Sequence, residues 1–318
     1  MSVAWVFPGQ GSQYVGMGRA LAQAEPAARL IFETADRVLG FRLSQIIFEG
    51  PAEELQATRN QQPALLAVSV AYARVLQQRG LLPAPCCIAG HSLGEYTALV
   101  VADSLALEDA LRIVRRRGEL MEQYAAGGMI AVIGLDRAVL EEIAHATGAE
   151  VANINAPGQI TLSGTQEALA AATTLARERG ARRVVPLPVN AAFHSSLMRP
   201  VIEGLRPLVA GVALRPPIAP LIANVDARPR TDPDEIREAI LAQIAAPVRW
   251  IDVVQAAVAL GAQTFYEVGP GRVLAGLIPR IVPHTTVHTA EALLPECAAD
   301  KPTPRTRSRG EEVGTRES

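Results

Sequence analysis

The segment Gly90-His91-Ser92-Leu93-Gly94 has the G-x-S-x-G spacing of a nucleophile elbow, in which a serine stands at the apex of a sharp strand-to-helix turn. The glycines at either end leave out the β-carbons that would crowd such a turn. The chemistry open to an exposed serine is acyl transfer, but a bare hydroxyl is a poor nucleophile and needs a base and oxyanion donors around it. The main-chain N–H of Leu93 follows the nucleophile and so falls at the oxyanion, where the start of the next helix adds a favourable dipole. Among the histidines, His91 lies inside the elbow, where packing is its expected role. His145 falls on an exposed helix, and His284 and His288 lie near the chain end. His194, in Ala192-Phe193-His194-Ser195, is the remaining base candidate, although position alone does not select it. Asp103, Asp109 and Asp136 lie between serine and histidine, and no local context makes any of them an acidic partner. Arg115, Arg116 and Arg117 follow one another on an amphipathic pattern, so one can project inward while the others are solvated.

The elements that must position these residues read as a parallel α/β body. The apolar run 4–7 predicts a buried strand delivering a loop over 9–13. Residues 61–78 predict a helix stopped by Gly80, and 86–89 the strand before Ser92. Apolar or small residues at helical spacing predict a helix over 107–121. The order then becomes strand 128–134, helix 137–147, strands 150–154 and 159–163, helix 166–179 and strand 182–189, a ferredoxin-like βαββαβ unit. Its place between Ser92 and His194 makes it an insertion, with a cleft between the two parts as the expected substrate site. Residues 220–225, 233–245, 251–260 and 264–268 resume the α/β pattern. The expected domains are therefore 1–124 with 197–290, and 125–196, followed by a disordered tail over 291–318 that is rich in polar residues and proline.

The 318 residues are 49% hydrophobic and 19% charged, as suits a globular chain with a substantial core. A formal net charge of −2 offers no general attraction to nucleic acid or an anionic membrane. The chain opens without a basic leader and its apolar runs are too short or broken to span a bilayer, so the expectation is a cytoplasmic protein. Cys86, Cys87 and Cys297 provide neither a disulfide framework nor metal-ligand spacing; the first two are expected to be small apolar fillers and the third an exposed thiol in the tail.

Further segments carry a resemblance: Phe7-Pro8-Gly9-Gln10-Gly11-Ser12-Gln13, Gln61-Gln62-Pro63-Ala64-Leu65, Arg117-Gly118-Glu119-Leu120-Met121, Asn155-Ala156-Pro157-Gly158-Gln159, Pro247-Val248-Arg249-Trp250 and Glu267-Val268-Gly269-Pro270-Gly271. With the elbow and Ala-Phe-His-Ser, and in this order, they resemble the malonyl-CoA:acyl-carrier-protein transacylases and the acyltransferase domains of polyketide synthases. The resemblance implies a hydrolase-like α/β domain with a parallel sheet and an inserted ferredoxin-like small domain. It implies a Ser92–His194 dyad, a second oxyanion donor at the backbone of Gln10, and a histidine held by the main-chain carbonyl of Arg249. Arg117 would pair bidentately with the free carboxylate of malonate. Gln62 and Asn155 would line the pocket, and Phe193 would limit room for an α-methyl group, a discrimination worth about 1–3 kcal/mol.

The implied reaction is S-malonyl transfer from malonyl-CoA, through an acyl-serine, to the phosphopantetheine thiol of acyl carrier protein, for fatty-acid or polyketide synthesis. No metal or other cofactor is expected, nor a nucleic-acid or membrane partner, and the protein is expected to be a monomer. The alternatives are a thioester hydrolase of a polyketide pathway, which Arg117 disfavours for simple acyl groups, and a non-catalytic docking protein, which the intact Ser92, His194 and Arg117 disfavour.

Overall fold

Short apolar runs form the strands that carry the elbow, Val-Ala-Trp-Val-Phe in the first and Cys-Cys-Ile-Ala in the second. The computed structural model describes residues 2–297. Its larger sheet contains β1 (Val3–Phe7), β2 (Pro85–Gly90), β7 (Leu221–Ile222), β8 (Pro229–Arg230), β9 (Thr264–Glu267) and β10 (Thr286–Thr289), and its smaller sheet β3 (Gly128–Ile133), β4 (Glu150–Ala156), β5 (Gln159–Gly164) and β6 (Arg183–Pro186). The larger sheet runs β10-β9-β1-β2-β7-β8. Its pairings are parallel except at the β7–β8 edge. Every residue of β1 is buried, the mark of a central parallel strand covered on both faces. Phe7 lies opposite Gly90 in the β1–β2 register, so the loops leaving both strands emerge side by side at the carboxyl edge of the sheet.

The Thr58–Gln78 helix is buried along nearly its whole length, and the Leu107–Gln123 helix packs against it. The Pro233–Ala242 helix starts where the Asp232 side chain accepts the N–H groups of Asp234 and Glu235, with Pro233 pre-set in the first turn. Four further helices between residues 19 and 56, and the edge strand β10, fall where the sequence pattern predicted no element.

The smaller sheet is antiparallel in the order β4-β5-β3-β6, with the Arg137–Thr147 and Gln166–Glu178 helices completing the βαββαβ unit. The inserted unit is tied to the larger one through main chain at the segment before the Trp250–Ala259 helix: Ile154 N–H donates to the Val248 carbonyl at 2.9 Å and Val248 N–H to the Ala152 carbonyl at 2.8 Å. Arg280 adds side-chain bonds to Gln159 and to the Pro157 carbonyl.

The tail expectation needs correction over residues 291–297. Ala290–Leu293 is helical, Pro295–Cys297 is a 3₁₀ turn, and Ala290, Leu294 and Cys297 are buried in the main core, so Cys297 is not an exposed thiol. Glu291 accepts hydrogen bonds from the Tyr14 hydroxyl at 2.7 Å and the Gly271 N–H at 2.9 Å. A few inward-facing apolar residues within a polar stretch are enough to dock it, but too few to change its composition. The remainder of the expected tail, 298–318, lies outside the described residues.

Candidate active site

Ser92 sits between β2 and the Gly94–Val101 helix with φ 52°, a left-handed value unusual for a residue with a side chain. A β-carbon at Gly90 would stand 1.8 Å from the Gly94 carbonyl carbon, and one at Gly94 would stand 2.2 Å from the Phe7 carbonyl oxygen. These contacts are closer than any Cβ tolerates, so the turn requires both glycines. They also show how tightly the Phe7-Pro8 end of the first loop is seated on the elbow, where His91 N–H donates to the Phe7 carbonyl at 3.0 Å. Gln10 follows in that loop and donates through its side chain to Gln61. Leu93, on the other side of Ser92, caps the helix, so its N–H is among the donors that open it.

His194 also has a positive φ, of 59°. Its Nε2 lies 2.8 Å from Ser92 Oγ, and its Nδ1 faces the carbonyls of Gln243 at 2.9 Å and Ala246 at 3.2 Å. An Nδ1–H donated to these oxygens leaves Nε2 as the acceptor towards Ser92. The expected carbonyl of Arg249 is therefore corrected to those of Gln243 and Ala246. Arg249 opens the Trp250–Ala259 helix and its oxygen accepts the Val253 N–H at 2.9 Å, whereas Gln243 opens a 3₁₀ turn that Ala246 caps, and the Gln243 carbonyl takes within it only a long bond of 3.4 Å from the Ala246 N–H. Burial, followed by the nearby Arg117 charge, pushes the His194 pKa down to about 3, so the ring is neutral at ordinary pH. Phe193 is buried beside it, and its carbonyl accepts the Ser163 hydroxyl of β5 at 2.6 Å.

Arg117 is completely buried on the Leu107–Gln123 helix. It donates to Gln62 Oε1 at 2.8 Å and to Ser92 Oγ at 3.2 Å, and lies over the Tyr96 ring at 5.7 Å. Its Nε has no hydrogen-bond partner among the described residues. A buried guanidinium with neutral neighbours and an unsatisfied donor is prepared for an anion that the protein does not itself supply. Its neighbour Arg115 is not the solvated charge expected. Pro63 has no N–H to give the Arg59 carbonyl, and Arg115 Nη1 takes that acceptor at 3.2 Å, donates to Asn60 at 2.6 Å and stacks over Phe41. Arg116 stays on the exposed side.

Asn155, on β4, places Oδ1 2.8 Å from His91 Nε2, so it meets the elbow through His91 rather than through Ser92. Three residues that sequence reasoning missed complete the site: Glu95, Asn224 and Gln243, all fully buried. Asn224 Oδ1 accepts the Ser92 N–H at 2.7 Å, and Gln243 Nε2 donates to the Ser92 carbonyl at 3.1 Å. The available signal was polarity out of place: Gln243 interrupts an apolar run from Ile240 to Ala246, and Glu95 is the one charged residue of the Gly94–Val101 helix.

Among the described residues no cluster of His, Cys, Asp or Glu could hold a metal ion, and no helix is long and apolar enough to cross a membrane. The assembled groups supply a serine hydroxyl, a neutral imidazole on its proton, helix-opening N–H groups and a buried cation, which together suit acyl transfer from a substrate bearing a negative charge.

The acyl transferase domain family model matches residues 4–309. The malonyl CoA-acyl carrier protein transacylase of Bacillus subtilis is 42% identical over 287 residues, covering 88% of this chain and 90% of the relative. Among solved structures, an acyl carrier protein S-malonyltransferase from Vibrio cholerae superposes with a TM-score of 0.88 at 40% identity, over 91% of this chain and 96% of that one. A malonyl-transacylase solved in complex with its type II polyketide synthase acyl-carrier protein gives 0.88 at 39% identity, over 92% and 98% of the two chains.

Proposed function

The chain belongs to the acyl transferase domain family and moves malonyl from CoA to acyl carrier protein, and from that premise we propose that the group travels as an ester on Ser92. His194 Nε2 takes the Ser92 proton as Oγ attacks the malonyl thioester carbonyl. The N–H groups of Leu93 and Gln10 hold the oxyanion. The C–S bond then breaks, and CoA leaves as the thiol with the proton returned by His194. In the second half the phosphopantetheine thiol gives its proton to His194 and attacks the ester carbonyl. Ser92 leaves and regains the proton. One thioester becomes another and no electrons are gained or lost, so the step calls for no redox group.

The observation that carries this reading is one oxygen in two contacts: Ser92 Oγ lies 2.8 Å from His194 Nε2 and 3.2 Å from Arg117 Nη2. A malonyl group esterified at that oxygen has its free carboxylate within reach of the same guanidinium. Gln62 holds Arg117 from the other side. Binding the carboxylate also cancels part of the positive field that depresses His194, so malonate strengthens the base that acts on it. The burial of Ser92 and His194 shields the ester from water and favours transfer over hydrolysis.

The test is intact-mass measurement after mixing the protein with malonyl-CoA, then with holo carrier protein. A malonyl adduct is expected on the wild type and absent from Ser92→Ala, and carrier protein should discharge it with the label recovered on carrier. An undiminished adduct on folded Ser92→Ala overturns the nucleophile, and discharge to free malonate at the same rate without carrier identifies a hydrolase.

A further inference from the structure

Glu95 takes no part in the transfer just described, yet its carboxylate lies fully buried beneath the nucleophile. Each of its two oxygens accepts an N–H from a different segment: Asn224 N–H at 2.5 Å and Gln243 Nε2 at 2.6 Å. Gln243 Nε2 gives its second hydrogen to the Ser92 carbonyl at 3.1 Å. With both hydrogens committed, that amide has one orientation, and its Oε1 faces Arg117 Nη2 in a long contact of 3.5 Å. Asn224 is oriented in the same way: its Nδ2 donates to the Gly90 carbonyl at 2.7 Å and its Oδ1 accepts the Ser92 N–H at 2.7 Å.

The placement matters because Arg117 meets only neutral acceptors, Gln62 Oε1, Gln243 Oε1 and Ser92 Oγ. A carboxylate in direct contact would occupy the guanidinium fork and compete with an incoming anion. Burial raises the Glu95 pKa to about 8, so Glu95 acts here through the orientation it imposes on Gln243, one amide away, and leaves the fork open.

We propose that Glu95 is a positioning residue that, through Gln243, aims Arg117 at the free carboxylate of the acyl group and so sets the preference for malonyl over uncharged acyl groups. The proposal rests on the reading of Arg117 given under Proposed function.

The experiment compares kcat/KM for malonyl-CoA and acetyl-CoA in wild type, Arg117→Ala, Glu95→Gln, Gln243→Met and the Glu95→Gln/Gln243→Met double variant. Gln243→Met keeps the main-chain carbonyl that holds His194. The malonyl-to-acetyl ratio is expected to fall at least tenfold in each single variant. The double variant should lose little more, because both changes break the same link. A parallel loss on both substrates with the ratio kept would make Glu95 a support of the elbow only and overturn the proposal, as would fully additive losses. Should Glu95→Gln fail to fold, the ratio in Gln243→Met decides alone. A wild type without malonyl preference, or Arg117→Ala with an unchanged ratio, refutes the reading of Arg117 itself. A ratio lost in Arg117→Ala but kept in the Glu95 and Gln243 variants refutes only this proposal.

Discussion

In the proposed reading Arg117 selects the acyl group, because a malonate carboxylate leaving water must find a bidentate partner or carry its desolvation cost uncompensated. Arg117→Ala should therefore lose about 2–5 kcal/mol of malonyl transition-state binding. Acetyl-CoA has no carboxylate and should lose far less, so the ratio of the two kcat/KM values collapses. An unchanged ratio would mean that the guanidinium never meets the substrate. The same residue bears on the base. Because burial and the Arg117 charge hold His194 down at about 3, the imidazole stays neutral as pH falls below its ordinary 6.5, and the acid limb of acylation should lie well below 6.5. Removing the like charge should move that limb upward in Arg117→Ala, measured with acetyl-CoA; a limb that stays in place or moves down would separate the two residues electrostatically.

At the scale of elements, Arg117 is buried because its helix can approach the start of another one. A β-carbon at Gly118 would stand 2.6 Å from both the Arg59 Cα and the Thr58 carbonyl oxygen, so the Leu107–Gln123 and Thr58–Gln78 helices touch backbone to backbone there. Gln62 reaches Arg117 across that contact. Gly118→Ala should push the helices apart and cost about 1–3 kcal/mol, despite the higher helix propensity of alanine. The urea midpoint should fall at unchanged m-value, and malonyl selectivity should fall with it as Gln62 and Arg117 separate. A midpoint equal to or above wild type would show that the contact tolerates a methyl group. The Arg-Gly pair was legible as a motif, but its reason was not: only the helix crossing shows that the glycine makes room for the arginine's partner.

At the scale of the molecule, the proposed catalytic geometry draws on both units of the fold. The carbonyls that face His194 lie just before Val248, the residue that pairs with β4 of the inserted unit, and the Phe193 carbonyl is held by Ser163 of β5. Burying a neutral histidine at that junction makes the stability of the whole fold depend on pH. The folded pKa of His194 is depressed below the unfolded 6.5, so on acidification the unfolded chain takes up the proton first. Stability is then fully present above about 6.5 and is lost as pH falls towards 3. His194→Gln has no such proton to bind, so the Tm difference between wild type and variant should be flat above pH 7 and move against the wild type below 6.5. Calorimetry across that range tests it, and a difference that stays constant down to pH 4 would mean that the ring protonates freely in the folded state.

What the sequence by itself determined was local or ordered: the elbow with its two glycines, the alternation of strands and helices, the inserted βαββαβ unit, and the residue types Ser92, His194 and Arg117. Each is carried by spacing along the chain, by periodicity or by the order of short motifs. Tertiary structure alone decided which carbonyls face His194, that Arg115 fills an acceptor left open by Pro63, that 291–297 docks into the core, and that Glu95, Asn224 and Gln243 form one network under Ser92. These outcomes depend on which hydrogen-bonding groups remain unpaired once distant segments pack together. Pairing of that kind is settled by three-dimensional proximity between residues 49 to 148 positions apart, and it leaves no periodic trace in the chain.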